Sequence, residues 1–552
     1  MSDETSVEAF SLLDEPWITC RLVDGSVKDL SLRETFAAAD EVIEVAGELA
    51  TQTFAITRLL LAILSRALGG PITESEWGEL WRTGLPVAEI DAYLQTYGDR
   101  FDLLHPQTPF FQVAGLHTAK NEVKDVAPLI ADLPSNSRLF TNRAGSGAKD
   151  LSFAEAARWL VNVQAFDASG IKSGAVGDDR VKGGKGYPIG VAWSGLLGGV
   201  MAEGANLRET LLLNLVSPGA RLAEYWEGDQ PAWERAPDGP AERADTWPLG
   251  PVDLGTWQSR RVLLVVDGDR VIGCLVANGD RLTPQNRFQQ EMMTAWRYSE
   301  PQTKKAGETT YMPLEHRPGR AFWRGIAAIL PTGAQQTSAK DHPASLSPGI
   351  VDWISRLQEH KLLPGNGMVV LRAIGVLYGS NNAVIDEVLD DRLPVSLALL
   401  STGRRDLAES AVTAVEAAEH GVAAIRNLAA NLARASGQTE PDLDGPKRRA
   451  EELAYSTLDG AYRSWIRTLT VESDANARLA EWKATARGIL RAQGDTLLAA
   501  ASPAAWAGRE RPGRERPGRN GAELYTTSRA ASWFALALRN TFGPVPRKET
   551  AA

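Results

Sequence analysis

From about residue 400 onward the chain is written almost wholly in amphipathic helices, and this constrains its fold more than any other feature. Ala and Leu rise and β-branched residues thin out. Asp406–Ala435 places Leu407, Ala411, Val415, Ala418, Val422, Ile425, Leu428 and Leu432 at steps of three and four, the spacing of one helix face. Similar stripes run through Lys447–Leu469, Ala475–Ala501 and Ala522–Phe542. Long helices joined by short connections predict an antiparallel four-helix bundle over residues 401–545, with 546–552 a tail. The third connection contains GRERPGRERPGR (Gly508–Arg519). Its prolines and glycines keep it out of a helix. It reads as a solvated loop, with a nucleic-acid or acidic-partner contact as the other reading.

Residues 1–400 have the mixed signals of an α+β domain. Trp17–Val23 and Val27–Leu32 are strand-like around the Asp24-Gly25 turn. Ser31 and Glu34 then form a capping box that opens a helix. Thr53–Leu68 is apolar on most faces and predicts a buried helix. Further helices are expected at Ser152–Val163 and within Leu196–Leu215. Phe101–Leu116 reads as a loop entering a short strand. Leu222–Trp257, rich in Pro and Trp, reads as a long excursion that could touch a partner. Val262–Val266 and Val271–Val276 flank Asp267-Gly268-Asp269-Arg270, a hairpin signal.

At 552 residues the chain has room for two to four domains, and 43% hydrophobic with 23% charged residues is an ordinary globular composition. No apolar run is long enough to span a bilayer. The acidic start MSDETSVEAF lacks the basic-then-apolar order of a signal peptide, and the cytoplasm is the expected compartment. Cys20 and Cys274 are the only cysteines, too few for a disulfide framework or a cysteine zinc site. A net charge of −10 argues against a free-standing DNA-binding protein. It allows local basic loops on an acidic body.

Such a loop is present. Gln164–Gly190 (QAFDASGIKSGAVGDDRVKGGKGYPIG) sets seven glycines around Lys172, Arg180, Lys182 and Lys185. Glycine permits close backbone approach to a ligand, and basic groups attract a phosphate backbone. The stretch is a candidate nucleic-acid contact, with a plain surface loop as the competing reading. It is not a P-loop, because Asp179 stands where the first glycine should be and Gly186 follows Gly184-Lys185.

Catalytic signatures are missing. His105, His117, His316, His342, His360 and His420 form no H-x-x-x-H or H-E-x-x-H pattern, and no G-x-S-x-G elbow occurs. Cys274 lies in an expected strand, where a cysteine is more often core than nucleophile. The residues alone favour a helical scaffold or interaction protein without direct DNA contact.

Four segments, in order, resemble the large subunit of the type I-E CRISPR surveillance complex, the CasA family of Cascade. They are FSLLDEPWI (Phe10–Ile18), LHPQTPFFQVAGL (Leu104–Leu116), GIKSG (Gly170–Gly174) and YGSNNA (Tyr378–Ala383). The resemblance covers nearly the whole chain. It implies a non-enzymatic subunit, without cofactor or metal, that recognises the protospacer-adjacent motif in double-stranded target DNA. It also implies that the subunit starts strand separation and R-loop formation and helps recruit a helicase-nuclease. Its implied partners are CRISPR RNA and the other Cascade subunits. The family's glycine loop maps onto Ala168, Ser169 and Gly170, with Lys172 beside it. The family's wedge maps onto Asn381, Asn382 and Ala383, with Asn382 where the family carries Gln. Phe140, Thr141 and Asn142, in LFTNRAGSG, match a loop that docks near the RNA handle. A family lysine finger has no clear match; Arg287–Arg297 offers Gln289 and Gln290 instead.

Overall fold

The structure, a computed structural model, describes residues 9–133, 141, 143, 149–217, 226–244, 247–315, 319–331, 343–511 and 523–543. Helix and sheet are mixed along the chain, and the C-terminal region is helical. The chain divides into two compact units. One runs to Phe322 and takes in Ala328–Pro364 and Met368–Leu393; the other consists of Trp323–Ala327, Gly365–Gly367 and the chain from Pro394 onward.

In the first unit the local signals act as written. Ile18–Leu22 pairs antiparallel with Val27–Leu30 on one side and Val42–Val45 on the other. Ser31 and Glu34 cap the helix Leu32–Ala37 reciprocally, and Ser152 and Glu155 do the same for the helix Phe153–Phe166. Each pair satisfies backbone N–H groups that a helix N-terminus leaves unpaired. In the helix Ala50–Ala67 every residue from Thr51 to Leu64 is buried. Its one buried cation, Arg58, is neutralised by Glu291 through two hydrogen bonds of 3.0 and 2.9 Å, as a charge out of water requires.

The strands Arg260–Asp267 and Arg270–Asn278 form the expected hairpin, longer than its apolar core predicts. The other edge of Arg270–Asn278 carries Leu151–Ser152 and, in parallel, Lys172–Ser173, which pairs on to Lys185–Gly186. Another sheet joins Gly199–Glu203, Met368–Tyr378 and Ile385–Ser396. Arg260 and Arg261 begin the hairpin and are both fully buried. Being adjacent on a strand, they point to opposite faces.

One expectation needs correction. Phe101–Leu116 forms no strand. Its prolines interrupt a ladder, and it meets the hairpin through Val113 N–H donating to Val262 O (2.9 Å) and Gln112 Oε1 accepting from Leu264 N (2.9 Å). The Trp-rich excursion is anchored over its described residues. Trp226, Trp233 and Trp257 are buried, and their indole N–H groups donate to Gln289 O, Tyr93 Oη and Asp280 O at 2.8, 2.7 and 3.0 Å. Within Leu196–Leu215 the helix is Leu207–Asn214, and the strand Gly199–Glu203 precedes it.

In the second unit, among the described residues, four long helices span Arg405–Ala435, Asp444–Ile466, Ala475–Ala499 and Thr527–Phe542. The first packs against each of the others. Its small residues let aromatic side chains approach its backbone. Tyr462 Oη and Trp482 Nε1 donate to Ala411 O and Ala414 O at 3.1 and 2.9 Å. Tyr462 also stacks on Trp323 at 4.4 Å and meets Trp482 edge-on at 5.2 Å. The arginine-rich connection is not wholly a loop. Arg509–Arg511 pairs with Glu523–Tyr525, and the remainder of the repeat lies outside the described residues.

Trp482 is fully buried at the meeting point of these rings. Trp482→Ala is expected to cost about 3–5 kcal/mol, read as a lower denaturant midpoint of the C-terminal transition. An unchanged midpoint would show that the ring cluster does not hold this unit together.

Candidate nucleic-acid interface

The glycine loop starts where the helix Phe153–Phe166 stops. Asp167 turns the chain out of the helix, and its carboxylate receives Lys172 Nζ at 2.5 Å and the Nε of Arg260. Lys172 is therefore not a free phosphate contact: its side chain is 16% exposed and its ammonium is committed to Asp167. Burial, the largest influence, lowers the Lys172 pKa while Asp167 opposes it. Burial also works upward on Asp167, but Lys172 and Arg260 outweigh it and hold the carboxyl below its usual range.

Arg260 reaches further into the loop. Its guanidinium donates to Ala168 O at 3.0 Å and to Gly190 O at 2.9 Å, the two ends of the glycine-rich stretch. Gln164 fixes its backbone, accepting from Arg260 N at 2.9 Å and donating to Arg260 O at 3.0 Å. Ser169 is buried, and Gly170 sits at φ +127°, where an L side chain is strained. A Cβ at Gly170 would come no closer than 3.9 Å to Ala383. Backbone conformation, not space, demands glycine there.

Asn381, Asn382 and Ala383, the expected wedge residues, form the tip between the strands Met368–Tyr378 and Ile385–Ser396. Gly379 N donates to Val384 O (2.9 Å) and Asn382 N to Gly379 O (2.8 Å). Asn381 and Asn382 take φ of 56° and 55°, the left-handed region that asparagine tolerates better than most residues. Their side chains and Ala383 are exposed.

The two predicted elements come together. Ser169 N–H donates to Asn382 O at 2.7 Å. Behind this contact the Tyr378 hydroxyl donates to Phe166 O at 2.8 Å, and burial pushes its pKa upward. A cleft of about 130 Å³ opens between loop and tip, walled by Ile171, Val276, Val384 and Ile385. The buried amide of Asn162 also faces the cleft, its Oδ1 without a partner.

The basic groups this stretch offers to solvent are Lys182 and Lys185, both exposed, with the exposed Asp179 nearby. They flank the tight turn Gly183-Gly184 and exchange backbone hydrogen bonds of 3.0 and 3.2 Å. Of the docking-loop residues, Phe140 and Asn142 lie outside the described residues. Thr141 is half-buried, and its hydroxyl accepts from Arg143 N at 3.1 Å. In the segment Arg287–Arg297, Arg287 and Gln290 are buried and Arg297 is exposed. Among the described residues no three His, Cys, Asp or Glu side chains gather as a metal site. Cys20 and Cys274 are buried, and burial pushes both thiols up to about 12, far from thiolate chemistry.

Sequence reasoning missed Asp167, Arg260 and Tyr378. The available signal was the pair Arg260-Arg261 set against the apolar run that follows it. An arginine at the head of a buried strand must find carboxylates or carbonyls.

The family model for CRISPR-associated protein Cse1 matches residues 11–493. A curated relative, CRISPR-associated protein CasA/Cse1 of Thermus thermophilus, is 30% identical over 510 residues, 87% of this chain and 93% of its own length. The crystal structure of Thermobifida fusca Cse1 is similar at TM-score 0.88 and 43% identity, covering 97% of this chain and 98% of that one. A chain of a CRISPR RNA-guided surveillance complex shares the fold at TM-score 0.63 and 19% identity, over 89% of this chain and 99% of its own.

Tyr378 is seated against a glycine. A Cβ on Gly195 would lie 1.9 Å from the Tyr378 hydroxyl. Gly195 lies in the helix Trp193–Leu197, where Ala is intrinsically the better residue by about 1 kcal/mol. Gly195→Ala is nevertheless expected to destabilise the chain by about 1–3 kcal/mol. A thermal midpoint at or above that of the unaltered chain would refute this packing.

Proposed function

The chain belongs to the CRISPR-associated Cse1 (CasA) family, and from that premise we propose that it is the motif-recognising large subunit of a type I-E Cascade. On this reading it binds double-stranded target DNA at the protospacer-adjacent motif and starts strand separation. It then helps recruit the helicase-nuclease and performs no catalysis itself. Its partners are the CRISPR RNA, near whose handle Phe140, Thr141 and Asn142 dock, and the other Cascade subunits. It works in the cytoplasm without cofactor or metal. Residues 1–400 carry the DNA contacts, and residues 401–545 form an antiparallel four-helix bundle.

The observation that carries this reading is the bond between Ser169 N–H and Asn382 O, which sets the small-residue loop directly beside the exposed asparagine tip. A minor groove about 6 Å wide admits a backbone with small side chains and little else. Ala168, Ser169 and Gly170 meet that requirement. Minor-groove readout is degenerate, so several related motifs would be accepted. Asn381, Asn382 and Ala383 would press on the first base pair beyond the motif. Unstacking costs a few kcal/mol per step. The following exchange of DNA pairing for RNA–DNA pairing is nearly balanced, so a small local push decides where opening begins. Lys182 and Lys185 are the basic groups placed to meet phosphates. Few such groups on a body of net charge −10 give weak binding by the chain alone, with a shallow salt dependence set by the few phosphates met.

A gel-shift with guide-loaded complex tests the reading. Binding should require this chain and favour duplexes carrying the adjacent motif; indifference to the chain would leave the scaffold role. Gly170→Leu forces a side chain into a positive-φ position costing about 1–2 kcal/mol, so motif-dependent affinity should fall about tenfold. Equal affinity would count against groove entry. Asn382→Ala should reduce permanganate-reactive opening beside the motif more than it weakens duplex binding. An opened region of unchanged extent would remove the wedge role.

A further inference from the structure

We infer that Arg260, which would touch no DNA, is the positioning residue that sets motif selectivity and couples it to strand opening, an inference that rests on the recognition reading above. One peptide unit links the two elements. The C=O of Ala168 accepts from Arg260 Nη2 at 3.0 Å, and the N–H of Ser169, in the same planar unit, donates to Asn382 O at 2.7 Å. Arg260 holds one edge of that plane and the wedge tip holds the other. Turning the peptide to suit a ligand breaks both bonds at once.

Arg260 is equipped for this role. Its side chain is 1% exposed. Its Nε serves Asp167, Nη1 serves Ser259 O at 2.9 Å, and Nη2 also reaches Gly190 O at 2.9 Å. The loop between the two clasped carbonyls contains Gly170, Gly177, Gly183 and Gly184 at positive φ and would otherwise sample many conformations. A planar fork can serve a carboxylate and several carbonyls together. The compact ammonium of lysine cannot, although it carries the same charge. Arg261 is an internal comparison. It is as deeply buried, but its fork serves Asp280, Gly239 O and Ala241 O, a segment that meets the glycine-rich stretch at Gly177 and Arg180 and not at the Ala168–Ser169 peptide.

The experiment compares R260K with R261K in the full chain, alone and in guide-loaded complex. In the isolated chain, R260K should speed hydrogen exchange in a peptide spanning 167–172 about tenfold, the loss of a hydrogen bond to a charged group. In the complex, the ratio of affinities for motif-bearing over motif-free duplex should also fall about tenfold. Affinity for motif-free duplex should stay within about twofold, since no phosphate contact is lost. R261K should leave both the 167–172 exchange and the ratio unchanged. Unchanged exchange in R260K, an unchanged ratio, or an equal fall in R261K would overturn the inference. If R260K does not fold, D167N removes one arm of the same clasp and must move exchange and ratio in the same directions. A wild-type complex indifferent to the motif would sink the recognition reading itself, while the exchange comparison would still decide whether Arg260 holds the peptide.

Discussion

One buried guanidinium underlies the geometry of the candidate interface. Arg260 comes from the first position of a strand, yet it gathers the end of a helix, the start of the glycine-rich stretch and that stretch's far end at Gly190. The cost of burying its charge is met by Asp167 and by the backbone carbonyls of Ala168, Gly190 and Ser259. Lys172 joins the same carboxylate. Two cations thus share one anion beneath the loop, and burial shifts Lys172 toward its neutral form. The loop is a clasped structure despite its glycines, because its freedom is removed from below.

The same logic recurs through the first unit. Arg58 with Glu291 and Arg261 with Asp280 are ion pairs in near-complete burial; Glu291 also accepts from Met293 N–H, and Arg261 also donates to the carbonyls of Gly239, Ala241 and Gln258. Such pairs add little net stability compared with apolar packing, but a mispaired alternative is very costly. They therefore select one arrangement of loops over others. The second unit uses a different means. Its long helices are held by alanine-rich contact faces and a ring cluster around Tyr462 and Trp482, where close backbone approach makes the indole and phenol groups hydrogen-bond partners of helix carbonyls.

Much of the local structure was legible in particular residues. Ser31 with Glu34 announced a helix start, and Asp267-Gly268-Asp269-Arg270 announced a hairpin. The stripe from Leu407 to Leu432 announced the longest helix. These signals lie within a few residues of what they control. Phe101–Leu116 misled because its apolar residues pack as turns, with a glutamine side chain replacing a ladder bond. Lys172 misled because a lysine beside glycines reads as exposed, and the carboxylate that claims it is presented by the end of the preceding helix.

The sequence by itself determined where several helices begin, where the hairpin turns, that the C-terminal third is helical, and, through four short segments, the family. Tertiary structure alone decided that Ser169 meets Asn382, that Lys172 is withdrawn, and that Lys182 and Lys185 face solvent. The physical reason is range. Capping and periodicity are local couplings, written in residues three or four apart. The Arg260 bonds to Ala168 and Gly190 span 92 and 70 residues, and the partner of a buried arginine is fixed only when its strand, loop and helix have already packed.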